Sequence, residues 1–423
     1  MRPAVERASV VADGAVAPLS LPQEYLLQLE ARTAPHIRFV PEYSYEIEGP
    51  LDDAALAAAL DDVARAHPAL RTRVRLDGAE PMQVLAEEPG FELELRDVPD
   101  DELLPETHAL AGHVIEPDAD PVWRVVLLRT PRRRALVVLV HHVVVDGWGM
   151  GVFFRALSEA YAARRAGAPR PPRQPWLYAE FAREQQARRA SGEDARELDY
   201  WIRLCEGRTI DWGSRRGPGR TESFDAVATR VHLGASEAGR VAHLARASKT
   251  SAATVVGAVS SRALAAVSGD EDVVTVEAVA RRDAANANVI GFYSTGGICR
   301  VQAPPGRRVS ELAVDLWEQR LRSLPYLGVQ LEAVGEACNG DPDYPPVLVS
   351  LFNERQDPPR FEGCAVRPID VPRPARLRRE LNVSWWPAGD GYDLVVSQQV
   401  GTLVDGTAEA VAAAVEDVVR SAS

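Results

Sequence analysis

The stretch "VVLVHHVVVDGWGMG", residues 137–151, joins a continuous apolar run to two histidines, an aspartate and three glycines. Such an apolar run is typical of a strand buried on both faces, so the histidines are expected at the end of a buried strand. After the glycines, Phe153, Leu157 and Tyr161 recur at helical spacing, and Gly167 is a suitable C-terminal stop. The motif is therefore predicted to lie between a strand and a helix.

The residues of this motif allow more than one function. A histidine at the end of a rigid strand has a near-neutral pKa and can accept a proton from an amine or hydroxyl nucleophile. Asp146 either orients that ring, as in a catalytic triad, or pairs with an arginine and fixes the loop. Gly147 permits close approach of a substrate carbonyl to the backbone. The same pattern also fits two hydrogen-bonded histidines at an ordinary turn.

Two other kinds of site are disfavoured by the sequence. His141, His142 and Asp146 make a poor metal site, because adjacent strand residues point to opposite faces and no further ligand cluster is evident. The chain has no G-x-S-x-G elbow, so acyl transfer would pass directly from a donor thioester to an acceptor. The four cysteines are widely spaced, which favours neither zinc nor disulfides. We expect no metal and no bound cofactor.

Composition predicts a globular protein and excludes some partners. The 423 residues are 46% hydrophobic and 26% charged, which is ordinary for folded domains. The net charge of -13 argues against nucleic-acid binding. The N-terminus lacks the apolar core of a secretion signal, and no apolar run is long enough to span a bilayer. We therefore expect a cytoplasmic protein without membrane contact.

Helical and strand patterns alternate along the chain and predict mixed α/β architecture. The chain is long enough for two lobes. Proline-rich "GAPRPPRQPW", residues 167–176, fits neither helix nor strand and is predicted as the interlobe linker. This places an N-terminal lobe with the histidine motif at 15–170 and a C-terminal lobe at 177–423.

Several segments, in order, resemble one family. "HHVVVDGWG", residues 141–149, matches the HHxxxDG signature of nonribosomal peptide synthetase condensation domains. The family's opening helix resembles "PLSLPQEYLLQLE" (18–30), its helix-to-strand step "HPALRTRV" (67–74), and its YW-containing helix "LDYWIRLCEG" (198–207). "VEAVARRDAANANVIGFYSTGGICRV" (276–301) is similar to the segment in which an arginine precedes a GFFxNTxxxR run. Together these matches are more specific than any one of them.

The resemblance implies a fold and a reaction. The fold is α/β with mixed sheets, in which two chloramphenicol-acetyltransferase-like lobes form a V-shaped pseudodimer with a tunnel between them. Donor and acceptor carrier proteins would insert phosphopantetheine arms from opposite faces, so the substrates arrive on the partners' own groups. An acceptor amine or hydroxyl would then attack an aminoacyl, peptidyl or acyl thioester, giving an amide or ester. A free small molecule stays open as an alternative acceptor, and the enzyme is expected to be a monomer.

The resemblance assigns roles to the motif residues. His142, the second histidine, is expected to position or deprotonate the nucleophile, and His141 to support the loop. Asp146 is expected to be structural and salt-bridged to Arg281, Gly147 to approach the thioester, and Trp148 to support the motif.

The chain also departs from the family's pattern. Ser294 stands where the family usually has Asn, and "SLFNERQDPPRFEG" (350–363) resembles the later floor loop only through Asn353. Ser294 and Asn353 are accordingly the tunnel residues that we associate with substrate preference. No carrier motif is present, so the chain is expected to be free-standing and to act in trans unless it is part of a larger synthetase. The arginine clusters at 131–134 and 375–380 are candidate surfaces for acidic carriers.

Three functions compete at this point. The first is a condensation enzyme of antibiotic or other secondary-metabolite biosynthesis. The second is a non-catalytic condensation-like domain that recruits a tailoring enzyme to a carrier-bound peptide. The third is a stand-alone acyltransferase using coenzyme A or a free small molecule. His142, Asp146 and Gly147 are all intact, which favours catalysis.

Overall fold

The computed structural model describes residues 14–33, 39–119, 121–168, 170–221, 224–352, 357–371 and 376–422. The first part of the chain contains seven strands and four helices among its described residues. Its elements are β1 (Ala15–Pro18), α1 (Leu21–Thr33), β2 (Glu42–Glu48), α2 (Asp53–Ala66), β3 (Thr72–Arg75), β4 (Met82–Leu85), β5 (Glu94–Asp97), α3 (Leu103–Ala111), β6 (Trp123–Arg129), β7 (Arg134–Val140) and α4 (Gly147–Arg165).

The second part of the chain has more helix. Its elements are α5 (Leu177–Ala190), α6 (Glu193–Cys205), β8 (Ala226–Leu233), α7 (Ala235–Ala247), α8 (Ala252–Ser268), β9 (Asp272–Ala280), β10 (Ser294–Gln302), α9 (Val309–Ser323), α10 (Leu331–Asn339), β11 (Val347–Leu351), β12 (Ala365–Pro368), β13 (Leu381–Ala388), β14 (Gly391–Gln399) and α11 (Thr407–Ser421). Short 3-10 turns lie at Pro68–Arg71, His142–Val144, Gly213–Arg215 and Leu324–Tyr326.

Strand β7, which leads to the histidines, is the centre of a five-stranded sheet in the order β12-β2-β7-β6-β5. It pairs antiparallel with both β2 and β6. Alternate residues point to opposite faces. Leu136, Val138 and Val140 pack into the core with α2 and α4, whereas Val137 and Leu139 pack against α3. Burial on both faces explains why the run is continuously apolar, and the predicted strand is confirmed.

The second large sheet has the order β10-β9-β11-β13-β14-β8, and a small sheet has the order β1-β4-β3. In the large sheet β11 pairs parallel with β13 and β9, while the other pairs are antiparallel. Helices α7, α8, α9 and α11 share one apolar core with this sheet, and α6 and α10 share another with β9 and β10. The mixed α/β fold predicted from the sequence is confirmed.

The second part of the chain contributes two segments to the first part. Residues 281–293, here called the crossover, connect β9 to β10, and Ile290, Phe292 and Tyr293 lie in the core of the first part. Strand β12, from residues that the sequence assigns to the C-terminal lobe, pairs antiparallel with β2. The described residues between α4 and α5, which include most of the proline-rich segment, form neither helix nor strand. The second part therefore completes the core and the five-stranded sheet of the first part.

Helix length and composition bear on membrane insertion. No single helix within the described residues is long and apolar enough to cross a membrane. Helices α7 and α8 reach that length and composition only as a pair, and they meet at a bend of 108°.

Candidate active site

The two histidines leave the end of β7 in different directions. The ring of His141 is fully buried, and its Nδ1 accepts a hydrogen bond from the backbone N–H of Val143 at 3.1 Å. Because Nδ1 accepts, the proton lies on Nε2, which is 3.2 Å from the Oε2 of buried Glu30. Glu30 also accepts from the N–H of Phe39 at 2.9 Å. His141 therefore ties the motif to α1 and has no access to a substrate.

His142 lies partly open to a cavity. Its backbone N–H donates to the carbonyl of Phe39 at 2.7 Å, and its ring packs beside Phe292 with 4.8 Å between centroids. The Nδ1 atom is buried and makes no hydrogen bond with any described residue. Burial lowers the pKa of His142, although the nearby carboxylate of Asp146 opposes this. A lowered pKa keeps the imidazole neutral near pH 7, the form that can accept a proton.

Asp146 is saturated with hydrogen bonds. It is the N-cap of α4, and its Oδ1 accepts from the N–H of Gly149 at 2.7 Å and lies 2.6 Å from the Arg282 guanidinium. Its Oδ2 accepts from the N–H groups of Tyr293 and Ser294 at 2.9 and 3.1 Å, and from the Ser294 hydroxyl at 3.2 Å. These partners tie the start of α4 to the crossover, so the geometry is that of a structural lock and not of a triad acid.

The prediction that Asp146 pairs with Arg281 is wrong by one residue, because the partner is Arg282. Successive residues of an extended chain point to opposite sides, and here Arg282 faces the aspartate. Arg282 also donates to the carbonyls of Asn286 and Val289 at 3.0 and 2.6 Å. Arg281 instead lies over the ring of Phe181, 5.5 Å from its centroid. The motif thus has an arginine partner from the expected segment, but the neighbouring one.

The remaining motif residues lie at the start of α4. Gly147 is the first residue of this helix and borders the same cavity as His142. The Trp148 side chain is 46% exposed, and its indole N–H donates to the carbonyl of Ala287 at 2.8 Å. Trp148 therefore adds a second contact between α4 and the crossover.

Two cavities meet beside the motif. The smaller, of about 310 Å³, is here called the histidine cavity because His142 and Gly147 line it. The larger, of about 1010 Å³, is here called the α4 cavity and is lined along that helix from Trp148 to Ala162. Ala278, Ser294 and Phe352 line both cavities. Ser294 therefore lies at the junction, whereas the other predicted tunnel residue, Asn353, lies outside the described residues.

Sequence reasoning missed the charged wall of the histidine cavity. The cluster at 375–380 was expected to face carrier proteins, but Arg378 and Arg379 are largely buried and line the cavity. The position of these two arginines, between Leu377 and the buried strand β13, was the one sequence signal that they could be buried. The cluster at 131–134 differs, since Arg132 has a side chain 86% exposed to solvent.

Glu332 is the acidic member of this wall. Burial raises its pKa to about 8, although the charge of Arg379 opposes this. Its carboxyl is 3.8 Å from Nη1 of Arg378, and the same Nη1 is 3.1 Å from Asp343. At pH 7 Glu332 is therefore mainly protonated, and the wall carries more positive than negative charge.

Comparison with known proteins decides the family. The family model described as "Condensation domain" matches residues 14–352. This chain is a member of the condensation-domain family. The relative named "Probable non-canonical nonribosomal peptide synthetase (NRPS) CymA", from Salinispora arenicola, is 27% identical over 413 residues, which is 93% of this chain but 5% of that protein. The condensation domain thus spans a small fraction of the relative that it matches.

Solved structures share the fold of this condensation domain. The condensation domain of the Monacolin K polyketide synthase MokA has a TM-score of 0.80 at 17% identity, with 96% of each chain covered. The X-domain from teicoplanin biosynthesis, solved in complex with OxyB, has a TM-score of 0.79 at 21% identity, with 100% of this chain and 96% of that chain covered. At these identities the likeness concerns the fold.

Proposed function

We propose that this condensation domain joins a carrier-tethered acyl, aminoacyl or peptidyl thioester to an acceptor amine or hydroxyl. The observation that carries the proposal is His142, an imidazole whose pKa is lowered by burial and which lines the histidine cavity next to its junction with the α4 cavity. A base must lie within hydrogen-bond reach of the nucleophile that it serves. In the proposed arrangement His142 serves the nucleophile of a substrate in the histidine cavity, and the second substrate reaches the junction through the α4 cavity.

In the proposed reaction the acceptor nitrogen or oxygen attacks the thioester carbonyl carbon. The new C–N or C–O bond forms, the C–S bond breaks, and the thiol returns to the phosphopantetheine arm of the donor carrier. His142 accepts the proton of the nucleophile and returns a proton to the leaving sulfur. The backbone of Gly147, which borders the histidine cavity, is the group proposed to approach the thioester. Asp146 and Arg282 act as positioning residues through the crossover.

Transfer between carriers tests this proposal. A donor carrier loaded with a panel of acyl and aminoacyl groups is mixed with free or carrier-bound amines, and products are followed by intact-protein mass spectrometry. We expect His142→Ala to lower the transfer rate by about 10²-fold or more. The matched control is His232→Ala, because the His232 side chain is 57% exposed and pairs with Asp393 away from the motif. Equal rates for His142→Ala and wild type would remove His142 from the mechanism.

A recruiting role is the second candidate, favoured by the fold shared with the teicoplanin X-domain, which was solved in complex with OxyB. In that case the wild-type chain would transfer no acyl group from any donor and would bind a tailoring enzyme in a pull-down. Transfer from coenzyme A thioesters in the same assay, without a carrier, would instead support the stand-alone acyltransferase.

A further inference from the structure

The histidine cavity contacts two guanidinium groups that differ in how their donors are used. Arg379 donates to backbone carbonyls, including that of Asp343 at 2.5 Å. Nη1 of Arg378 is buried and donates no hydrogen bond to any described residue, although it lies 3.1 Å from the carboxylate of Asp343 and 3.8 Å from that of Glu332. Nη1 thus faces the carboxylate of Asp343, and the donors that Arg378 keeps for a ligand in the cavity are the remaining N–H groups of its guanidinium.

The surroundings of Arg378 leave part of its charge uncompensated. Glu332, with a pKa raised to about 8, is mainly neutral at pH 7. Asp343 shares its carboxylate with Arg220, whose Nη1 donates to it at 2.8 Å. Burial and the charge of Arg379 lower the pKa of Arg378, which shows that its charged form is poorly solvated. A guanidinium nevertheless stays charged at neutral pH, so an incoming anion would stabilise this wall.

We propose that the histidine cavity binds a free acceptor carrying a carboxylate, such as an amino acid, and that Arg378 binds this carboxylate. The inference rests on the proposed function, in which the nucleophile lies beside His142. Since His142 lines the histidine cavity, this cavity takes the acceptor and the α4 cavity takes the donor acyl group. The planar fork of arginine matches a carboxylate through two parallel hydrogen bonds.

Size and burial favour a free acid over a carrier-bound acceptor. The cavity, of about 310 Å³, is at the small end for ligand sites and suits a molecule of amino-acid size. An aminoacyl group on a carrier has lost its α-carboxylate to the thioester. The Arg378 side chain is only 13% exposed, so its anion must itself enter the protein. The reaction then forms an amide between the acceptor nitrogen and the donor carbonyl, and the donor thiol leaves with the proton relayed by His142.

Acceptor chemistry tests the proposal on the wild-type protein. Each free amino acid is compared with its carboxamide and with the same residue loaded on a carrier, using one donor carrier and intact-mass detection. We expect kcat/KM for the free acid to exceed that for the amide by about 10- to 100-fold, the worth of a charge-assisted hydrogen bond. Amides or carrier-bound residues that react as well as free acids would overturn the proposal while leaving the proposed function standing.

Variants of Arg378 locate the effect. Arg378→Gln should raise the acceptor KM, leave the donor KM unchanged and abolish discrimination between acid and amide, whereas Arg378→Lys should keep part of it. The matched control is Arg203→Gln, whose side chain is 74% exposed on α6. A loss shared equally by acid and amide would refute the role of Arg378. If circular dichroism shows that Arg378→Gln does not fold, the Arg378→Lys variant and the comparison of acids with amides on the wild-type protein test the role of Arg378.

A measurement of equilibrium binding tests the carboxylate site independently of catalysis. Saturation-transfer NMR with pooled amino acids, their amides, inorganic phosphate and 4′-phosphopantetheine requires no donor. Binding of the acids to wild type and not to Arg378→Gln supports the site even if no acyl group is transferred, and in that case only the proposed function fails. Binding of phosphopantetheine or phosphate without any acid would overturn the carboxylate assignment.

The pH dependence of acceptor binding gives a separate readout. Glu332 faces Arg378, Arg379 and Asp343, and it also feels the charge of Arg32. Above pH 8 its ionisation adds a negative charge beside Arg378 and should raise the KM for an acid acceptor. Glu332→Gln should remove that rise, and a rise that persists in this variant would contradict the assignment.

Discussion

Asp146 and Arg282 form a buried ion pair whose contribution can be measured with a double-mutant cycle. The cycle consists of Asp146→Asn, Arg282→Met and the double variant. Asp146→Asn removes the charge with little change of size and turns an amide N–H₂ toward groups that are themselves donors. Arg282→Met keeps an unbranched side chain and leaves the aspartate without its cation.

The structure sets the expected magnitudes. Asp146 is 1% exposed, and the Arg282 side chain is 4% exposed. Removing one partner from a buried pair strands the other charge and costs about 3–5 kcal/mol in the free energy of unfolding. The double variant strands neither charge, so it should be more stable than the sum of the single losses predicts. We expect a coupling energy of about 2–3 kcal/mol.

Urea unfolding followed by tryptophan fluorescence and circular dichroism measures these free energies, and the transfer assay gives activity per folded molecule. The matched control is Arg281→Met, which replaces the neighbouring arginine that packs on Phe181. Its coupling to Asp146→Asn should stay within about 0.5 kcal/mol.

Two results would contradict the assignment of Asp146 as a structural residue paired with Arg282. The first is coupling of Asp146 to Arg281 as strong as its coupling to Arg282. The second is an Asp146→Asn protein with wild-type stability and no transfer, because that pattern would make Asp146 a catalytic acid and not a lock.

Three further predictions concern the cavity and the crossover. The pKa of Glu332 is about 8 in the folded chain and has the ordinary value of 4.5 in the unfolded chain. The protonated carboxyl therefore contributes its full stabilisation of the folded state below pH 4.5, and this contribution is lost as the pH rises to 8. Wild type should thus lose up to about 5 kcal/mol relative to Glu332→Gln over that range in urea titrations, and parallel profiles would contradict the shift. Gly291→Ala places a Cβ 2.6 Å from the Tyr178 ring and 2.7 Å from the Tyr293 ring, and it should cost about 1–3 kcal/mol in the free energy of unfolding; an unchanged melting temperature would show that both rings can move away. Gly296→Ala places a Cβ 2.0 Å from the end of the Leu331 side chain, and Leu331 also lines the histidine cavity. The displaced leucine should narrow this cavity, so we expect the substitution to raise the acceptor KM. A loss of stability without a change in KM would count against this placement.

Much of the fold near the site follows from local sequence patterns. The apolar run of β7 and the helical spacing of Phe153, Leu157 and Tyr161 predicted the strand and helix that hold the motif, because burial imposes both periods. The separate directions of His141 and His142 also follow from alternation at a strand end.

The missed features depend on tertiary contacts. Whether Arg281 or Arg282 meets Asp146 depends on the orientation of an irregular segment, for which the sequence has no periodic signal. Burial of Arg378 depends on Glu332 and Asp343, which are distant in the chain. The pairing of β12 with β2 joins residues separated by most of the sequence, so no local pattern identifies it.

The packing of two segments of the second part on the first part limits how this protein can be recombined. A chimaera that replaced only the region before residue 176 with a relative's sequence would present a foreign pocket to Ile290, Phe292 and Tyr293 of the native crossover. It would also offer a foreign β2 edge to β12. Exchanges that transplant residues 281–293 and 365–368 together with the first part keep these contacts intact. The segment that can be transplanted as a unit is therefore discontinuous in sequence, and its boundaries do not coincide with the proline-rich segment.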